Sequence, residues 1–400
     1  MFSSGAIHAA EGAASLQGRT DTQEDAMDYE ELKQKIAELP PETMTNAERG
    51  QKYAAGEMVD HIPFSLQSNE EAMTDIFGYT TAQSLDGTKV MIDVLKRRKE
   101  EFGIEGIKVG LRLRTVGQAV GSAMHFPEVG IDSVEKFVLD QPDFSGLDEI
   151  LKNDPYTNPL YQSMLQRCRE LKDAFPDMGV NTVVAGPITT AAAIRPIELV
   201  LRDTMKHRDK LSDLLNFCVD HSLAWVDMMV KEFGSMPCGI CDPVSCADIF
   251  SPRQYEQFSE PYLTRLIDGL YEITGRKPGL HICGKTHPLW SHMLNLNIAS
   301  YSVDNSEDLE KAKEILGNKY MLVGNVAPVD VVLNGTIDEV IDTCRECLRK
   351  GADSPMGYTL GTGCQVPIGT KRKNFDAFIY AARKYGRGAQ KGRLPQGLED

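Results

Sequence analysis

The chain has 400 residues, of which 42% are hydrophobic, so it is long enough for one large domain or two smaller ones. Its 58 acidic residues outnumber its 43 Lys and Arg, and the formal net charge of -15 argues against nucleic acid or an anionic membrane as a partner. No stretch of about 18 apolar residues could cross a membrane, and the first residues lack the basic start and apolar core of a secretory signal. We therefore expect a cytoplasmic protein.

The first part of the chain divides into a polar segment and two helical patterns. Residues 1–28 are rich in Ala, Gly, Ser, Thr and Gln and have little apolar periodicity, which is typical of a disordered tail. The stretches YEELKQKIAEL and TNAERGQKYAAGE predict two helices, the second capped by Thr45 or Asn46. We predict one domain over residues 29–390 that includes these helices as an N-terminal extension, and a flexible C-terminal tail at residues 391–400.

Short apolar runs alternate with amphipathic stretches through the rest of the chain. Segments such as EDLEKAKEILG and TIDEVIDTCRECLRKG predict helices between these runs. Alternation repeated eight times predicts an α/β fold, a parallel (β/α)8 TIM barrel whose function is carried by the loops at the C-terminal ends of its strands. The eight candidate strands lie within residues 61–66, 107–113, 180–187, 238–243, 279–284, 299–304, 321–326 and 357–363.

An open, doubly wound parallel sheet is the alternative fold. Such a sheet usually has a glycine-rich phosphate-binding loop after an early strand. The best glycine cluster here, GLRLRTVGQAVGSAMHF, does not have the GxGxxG spacing of that loop. The sequence therefore favours the barrel.

Two strand ends carry side chains that bind soft metal ions. In GLHICGK, residues 279–285, His281 and Cys283 face the same side of the predicted fifth strand because side chains alternate along a strand. Cys364 ends the eighth predicted strand, and the strand ends of a closed barrel converge on one mouth. One imidazole and two thiols with a fourth position left open is how catalytic zinc is held. In the competing interpretation, His281 binds a backbone carbonyl and both cysteines fill the core.

Two CxxC pairs are rival metal or redox sites. Cys344 and Cys347 are one turn apart in a predicted helix, so they are expected to face the barrel together. The other pair, Cys238 and Cys241, enters the fourth predicted strand in CGICDPVSC. Cys241 and the nearby Cys246 remain possible metal ligands.

The remaining thiols and one carboxylate have simpler interpretations. Cys168 and Cys218 fall in helical patterns, where a buried thiol acts as a small hydrophobic side chain. Asp242 follows the fourth predicted strand and is expected near the barrel mouth. The nine cysteines are too sparse for a disulfide scaffold, which indicates a reducing compartment.

Over roughly residues 43–385 the chain resembles the uroporphyrinogen decarboxylase superfamily. The resemblance is carried by NAERGQKYAAGEMVDHIPF, VVAGPIT, DPVSCADIFSPRQYEQFSEPY, LHICGKT, MLVGNVAPVDVVLNGT and GTGCQVPIGTKRKNFDAFIYAARKYG. The His-x-Cys and the distant Gly-Cys are similar to the branch of zinc-dependent corrinoid methyltransferases, such as the methylcobamide:coenzyme M methyltransferases of methanogens. The decarboxylase branch has RQAGR and Gly-His-Gly where this chain reads SLQSNEE and GTGC. Porphyrinogen decarboxylation is therefore the less favoured interpretation.

The resemblance implies an eight-stranded α/β barrel and a set of metal ligands. His281, Cys283 and Cys364 match the zinc ligands of the methyltransferase branch. Asp304, in YSVDN, falls where that branch can have an acidic residue close to the metal. It is a weaker candidate for a fourth ligand or for a residue that contacts the ligands.

The resemblance also implies partners. Methylcobalamin, the methylated corrinoid, would be carried by a separate corrinoid protein that docks on the barrel mouth, and a small molecule would accept or donate the methyl group. Gly186, Asp242 and Asn325 are the residues expected near the cofactor, in a mouth formed around residues 61–69, 186–190 and 325–328.

Three other functions remain open at this point. The protein could be the demethylase component that takes a methyl group from a methoxylated or methylated compound, with zinc acting as a Lewis acid. It could be a decarboxylase of the superfamily, or a barrel that binds zinc or a small molecule without catalysis. The direction of methyl transfer and the oligomeric state are not fixed by the sequence.

Overall fold

The computed structural model describes residues 27–66 and 70–399. The predicted disordered tail therefore lies almost entirely outside the described residues. In the N-terminal extension, the Asp28 side chain accepts a hydrogen bond from the Glu31 backbone NH at 2.8 Å and caps α1 (Tyr29–Ala37). Thr45, and not Asn46, caps α2 (Asn46–Ala54), because its hydroxyl and the Glu48 carboxylate form a reciprocal capping box. Both predicted helices are confirmed.

All eight predicted strands are present. The strands of the described residues are β1 (Phe64–Ser65), β2 (Ile107–Lys108), β3 (Ala123–His125), β4 (Ser133–Lys136), β5 (Val180–Ala185), β6 (Cys238–Cys241), β7 (Gly279–His281), β8 (Ser300–Ser302), β9 (Met321–Val326) and β10 (Tyr358–Thr362). Eight of them form one parallel sheet in the order β1-β10-β9-β8-β7-β6-β5-β2. This curled sheet has the (β/α)8 TIM-barrel architecture, and no backbone ladder joins β1 to β2 within the described ranges.

Helices cover the outer face of the sheet. The further α-helices are α3 (Glu70–Ile76), α4 (Thr81–Leu85), α5 (Lys89–Phe102), α6 (Thr115–Ala119), α7 (Leu147–Ile150), α8 (Pro159–Ala174), α9 (Pro187–Ile194), α10 (Ile197–Lys206), α11 (Arg208–Phe233), α12 (Pro252–Gln254), α13 (Glu260–Thr274), α14 (Trp290–Met293), α15 (Leu309–Leu316), α16 (Ile337–Gly351) and α17 (Arg372–Tyr385). Single turns of 3-10 helix lie at Pro243–Ser245, His287–Leu289 and Gln396–Leu398, and π-helical turns lie at Tyr255–Ser259 and Pro328–Leu333. Among the described residues, no helix is both long and apolar enough to span a bilayer.

The barrel strands bury their outward-facing side chains, whereas several inward-facing positions are only partly buried. On β5, Thr182 and Val184 are buried, and the Thr182 hydroxyl accepts a hydrogen bond from Trp225 Nε1 of α11 at 2.9 Å. Val183 lies between them on the other face and is only half-buried. Strands β6 and β9 alternate in the same way. The core therefore lies between the sheet and the helices, and inward-facing positions such as Val183 are less deeply buried.

A hairpin that the sequence analysis did not predict interrupts the connection from β2 to β5. Strands β3 and β4 pair antiparallel, with Ala123 opposite Lys136. The tip is held by a hydrogen bond from the Gly130 backbone NH to the Thr81 hydroxyl at 3.2 Å. Residues 391–399, predicted as a flexible tail, lie against the end of α17, where the Gly397 NH donates to the Arg387 carbonyl at 3.0 Å. Their flexibility stays a prediction.

Candidate metal centre

Four predicted site residues meet at the C-terminal end of the sheet. One ligand atom each from His281, Cys283, Asp304 and Cys364 lies within 4.8 Å of all the others. His281 ends β7, Asp304 follows β8 and Cys364 follows β10, so three separate strands bring the group together. His281 and Asp304 are buried, whereas both cysteines are partly exposed. The group is therefore accessible from the mouth through its sulfur atoms.

The imidazole of His281 is held at both nitrogens. Its Nδ1 lies 3.0 Å from the Ser302 hydroxyl, and its Nε2 lies 3.2 Å from Cys283 Sγ. Ser302 is the neighbour of His281 in the parallel register of β7 and β8. When Nδ1–H donates to Ser302, the lone pair of Nε2 points toward the two sulfur atoms, which is the arrangement of a metal-binding histidine.

Removing the Ser302 hydroxyl is expected to weaken metal binding. In the Ser302→Ala variant the hydroxyl that bonds Nδ1 of His281 is lost, so we expect about 10-fold lower zinc affinity, the lower end of the cost of losing such a partner. Competition with a chromophoric chelator measures this affinity. Ser302→Thr should retain the wild-type value, and Ser300→Ala, on the same face of β8, is the matched control. Equal zinc affinities for the wild type and the three variants would mean that Ser302 does not contribute to metal binding.

The loop after β7 is fixed by three carboxylates. Asp304 Oδ2 accepts a hydrogen bond from the Gly284 NH at 2.9 Å, and Asp248 Oδ2 accepts one from the Lys285 NH at 3.1 Å. The buried Glu307 carboxylate accepts bonds from the Thr286 NH and, at 2.8 Å, from the His287 NH. These bonds hold the backbone on which Cys283 is carried.

Ser302 and Glu307 were not predicted from the sequence as residues of the site. The strand alternation that aligned His281 with Cys283 also places Ser302 on the inward face of β8, so register was a usable signal for it. Glu307 had no such signal, because its role depends on the path of the loop after β7.

The two thiols polarise one another. The pKa of the Cys364 thiol is lowered to about 5, chiefly because Cys283 donates a hydrogen bond to its sulfur, with a further contribution from His281. The sulfur atoms are 3.4 Å apart. The same hydrogen bond, together with burial, raises the pKa of Cys283. Burial disfavours the imidazolium, but the proximity of Cys364 and Asp304 outweighs it, and the pKa of His281 is raised.

The donor set suits zinc. Two thiols, one imidazole and one carboxylate are ligands that Zn²⁺ accepts, and hard cations such as Mg²⁺ would want oxygen donors instead. The proton in the hydrogen bond between the two sulfur atoms lies beside the imidazole, and a metal ion could take its place, because metal binding to thiols releases protons. The assignment of His281, Cys283 and Cys364 as zinc ligands stays a prediction.

The three residues expected near the cofactor have different environments. Asp242 is fully buried, and its carboxylate accepts bonds from the Thr189 NH at 3.0 Å and from the Thr189 and Ser245 hydroxyls at 2.6 Å each. Burial raises its pKa, with these hydrogen bonds acting in the opposite direction. A Cβ on Gly186 would lie 2.1 Å from the Asp242 carboxyl carbon. Both residues therefore fix the start of α9, and contact with a cofactor stays a prediction for them.

Asn325 supports the loop that carries Asp304. Its side-chain amide donates to the Asp304 carbonyl at 3.1 Å and to the Glu307 carbonyl at 2.9 Å. Asn325, the third residue predicted near the cofactor, thus contacts the cluster through the backbone carbonyl of Asp304. Whether Asn325 also contacts a corrinoid stays a prediction.

None of the rival thiols of the described residues is a member of the four-residue group, although Cys241 lies beside it, opposite His281 in the register of β6 and β7. Among the described residues, the group of possible metal donors includes neither Cys241 nor Cys246. Cys344 and Cys347 are both buried on α16, as their spacing predicted. The remaining thiols of the helices, Cys168 and Cys218, are fully buried in the apolar core, which confirms their packing role.

Comparison with known proteins agrees with this fold. The family model described as uroporphyrinogen decarboxylase (URO-D) matches residues 45–385. A methylcobamide:CoM methyltransferase (MtaA) of Methanosarcina barkeri is 24% identical over 335 residues, covering 82% of this chain and 95% of the relative. A methylated-thiol–coenzyme M methyltransferase of Methanosarcina mazei is 22% identical and covers 85% of this chain and 90% of its own length.

A solved structure supports the architecture. A methyltransferase from Methanosarcina mazei superimposes with a TM-score of 0.70 at 23% identity, over 86% of this chain and 99% of that one. The matched residues 45–385 include every barrel strand and all four members of the cluster. The chain belongs to the uroporphyrinogen decarboxylase family, and the two curated relatives named above are methyltransferases.

Proposed function

We propose that this methyltransferase binds one zinc ion through His281, Cys283 and Cys364 and moves a methyl group between a corrinoid carried by a partner protein and a small thiol. The observation that carries the proposal is the four-residue cluster, whose ligand atoms lie within 4.8 Å of one another at the C-terminal end of the barrel. Relatives named methylcobamide:CoM methyltransferase support the choice of donor and of acceptor class.

The four residues of the cluster would have different roles in binding and catalysis. His281, Cys283 and Cys364 hold the site, and when zinc is bound it supplies the positive charge that ionises a coordinating thiol at neutral pH. Asp304 is the hardest donor of the four, so it is the one expected to give way to an incoming sulfur. Its carboxylate is already bonded by the Gly284 NH at 2.9 Å and the Ser306 NH at 2.8 Å, so release leaves no unpaired charge.

The barrel mouth would orient the reacting groups. In the thiol-acceptor direction, the acceptor sulfur attacks the methyl carbon, and the electron pair of the carbon–cobalt bond remains on the corrinoid. The buried His281 and the anchored loop after β7 keep the cluster in a fixed position during this step. Holding two reactants close together in the correct orientation can contribute a large part of an enzyme's rate enhancement.

X-ray absorption at the zinc edge tests the proposal. The purified protein is expected to contain about one zinc per chain with two sulfur ligands, and a third sulfur should appear when 2-mercaptoethanesulfonate or homocysteine is added. Formation of cob(I)alamin from free methylcobalamin and the same thiol should be detectable in the visible spectrum. A change of the zinc spectrum with a methoxylated compound, and none with thiols, would instead support the demethylase reaction.

A further inference from the structure

Two of the accessible thiols of this protein touch each other. Six of the nine cysteines are buried, whereas Cys241, Cys283 and Cys364 are partly exposed. The sulfur atoms of Cys283 and Cys364 are 3.4 Å apart. Cys241, opposite His281 in the strand register, is not a member of the group whose ligand atoms lie within 4.8 Å of one another. Because oxidants react with accessible thiols and buried thiols are inert, Cys283 and Cys364 are the pair open to oxidation.

The backbone beside each of these two cysteines is anchored. The Gly284 NH donates to the Asp304 carboxylate at 2.9 Å, and the Gly363 NH donates to the Val326 carbonyl at 2.8 Å. A disulfide bond is about 2.05 Å long, so each sulfur has to move by only about 0.7 Å toward the other. Rotation of the side chains about their Cα–Cβ bonds is enough for such a movement, and the strand ends can stay in place.

We propose that Cys283 and Cys364 are a site of reversible oxidative modification, at which hydrogen peroxide joins the two sulfur atoms in a disulfide when no metal ion is bound. Zinc binds thiolates, and neither sulfur of a disulfide is one. The modified protein would keep only His281 and Asp304 as donors of the cluster and would not bind zinc. The loss of zinc binding rests on the proposed function, whereas formation of the disulfide depends only on the contact between the sulfur atoms.

Hydrogen peroxide is the two-electron oxidant of this reaction. The sulfur of one cysteine attacks a peroxide oxygen, the oxygen–oxygen bond breaks, and a sulfenic acid forms as a molecule of water leaves. The sulfur of the other cysteine then attacks the sulfenic sulfur, and the displaced hydroxide leaves as water with the thiol proton. Two thiols and one peroxide thus give one disulfide and two molecules of water. Dithiothreitol reverses the modification by thiol–disulfide exchange.

Counting thiols with and without zinc tests the modification site. Protein treated with a chelator and then with peroxide is expected to lose two of its nine thiols, measured with a chromogenic reagent in denaturant. It should not bind zinc again until dithiothreitol is added. Mass spectrometry of unreduced peptides should find Cys283 joined to Cys364. Zinc-loaded protein should keep all nine thiols, because both sulfur atoms are coordinated.

Two variants serve as controls. Cys241→Ala removes the third accessible thiol and should still lose two thiols to peroxide. In Cys283→Ala the oxidation of Cys364 should stop at the sulfenic acid, which a dimedone label detects.

The outcomes separate this inference from the proposed function. If chelated wild-type protein keeps all nine thiols, or if Cys283 is joined to Cys241 instead, the inference is overturned, and zinc binding with methyl transfer would leave the proposed function intact. If Cys283 and Cys364 become joined in a protein that binds no zinc, the proposed function fails and the modification site stands.

Discussion

Replacing Cys364 with serine is expected to abolish zinc binding and methyl transfer together. Cys364 is one of two thiols in the cluster and lies 3.4 Å from the sulfur of Cys283. A serine hydroxyl stays protonated at neutral pH and is a poor zinc ligand, so only His281 and Cys283 would remain as strong donors. Removing a residue that only hydrogen-bonds a metal ligand lowers metal affinity or activity by up to about 100-fold. Because Cys364→Ser removes a proposed ligand itself, we expect a larger loss. Metal analysis and methyl transfer from methylcobalamin measure the two effects.

The control for Cys364→Ser is a thiol with no part in the cluster. Cys168 is fully buried on α8, and Cys168→Ala should retain about one zinc per chain even if the protein becomes less stable. Full zinc content in both Cys364→Ser and Cys283→Ala would refute the centre. His281 would then be a core histidine.

A methyl group added at Gly363 should disrupt the site without touching a ligand. A Cβ at this position would lie 2.3 Å from the backbone nitrogen of Asn305, the residue after Asp304. Gly363 also donates its NH to the Val326 carbonyl at 2.8 Å, so the strand end has little freedom to move. In Gly363→Ala, Cys364 and Asp304 must separate, and a misplacement of about 1 Å costs on the order of 100-fold in rate.

The measurement for Gly363→Ala is kcat/KM for methyl transfer, with zinc content and circular dichroism on the same samples. Gly179→Ala is the matched control, because no atom lies within 4 Å of a Cβ at Gly179. A kcat/KM for Gly363→Ala within about two-fold of wild type would mean that Asn305 can move away from the added methyl group. Close packing of the segment after β10 against Asn305 would then not determine the positions of Cys364 and Asp304.

The barrel could be predicted because its signals are local. Each strand is a short apolar run and each helix has its own apolar stripe and cap, so all eight barrel strands were found from the sequence. The cluster followed from two simple facts, the alternation of His281 and Cys283 and the convergence of parallel strand ends that brings in Cys364. Neither step required knowledge of side-chain packing.

The features that were missed depend on contacts between distant segments. The β3–β4 hairpin contains only three and four residues per strand, too few for a clear period. Glu307 acts through the backbone of the loop at residues 284–287, whose path is not encoded by any motif. Asp242 was correctly placed next to the mouth, but its hydrogen bonds to Thr189 and Ser245 depend on how α9 meets the end of β6.

The two faces of the barrel strands contribute unequally to the stability of the scaffold. Most of the apolar area of the barrel strands is buried under the helices, whereas inward positions such as Val183, Gly239 and Ser300 remain accessible to solvent. Substitutions outside the packed core usually change the free energy of unfolding by less than substitutions within it. A lineage with this scaffold can therefore vary the inward face of the barrel by a few changes, without first accumulating stabilising mutations elsewhere.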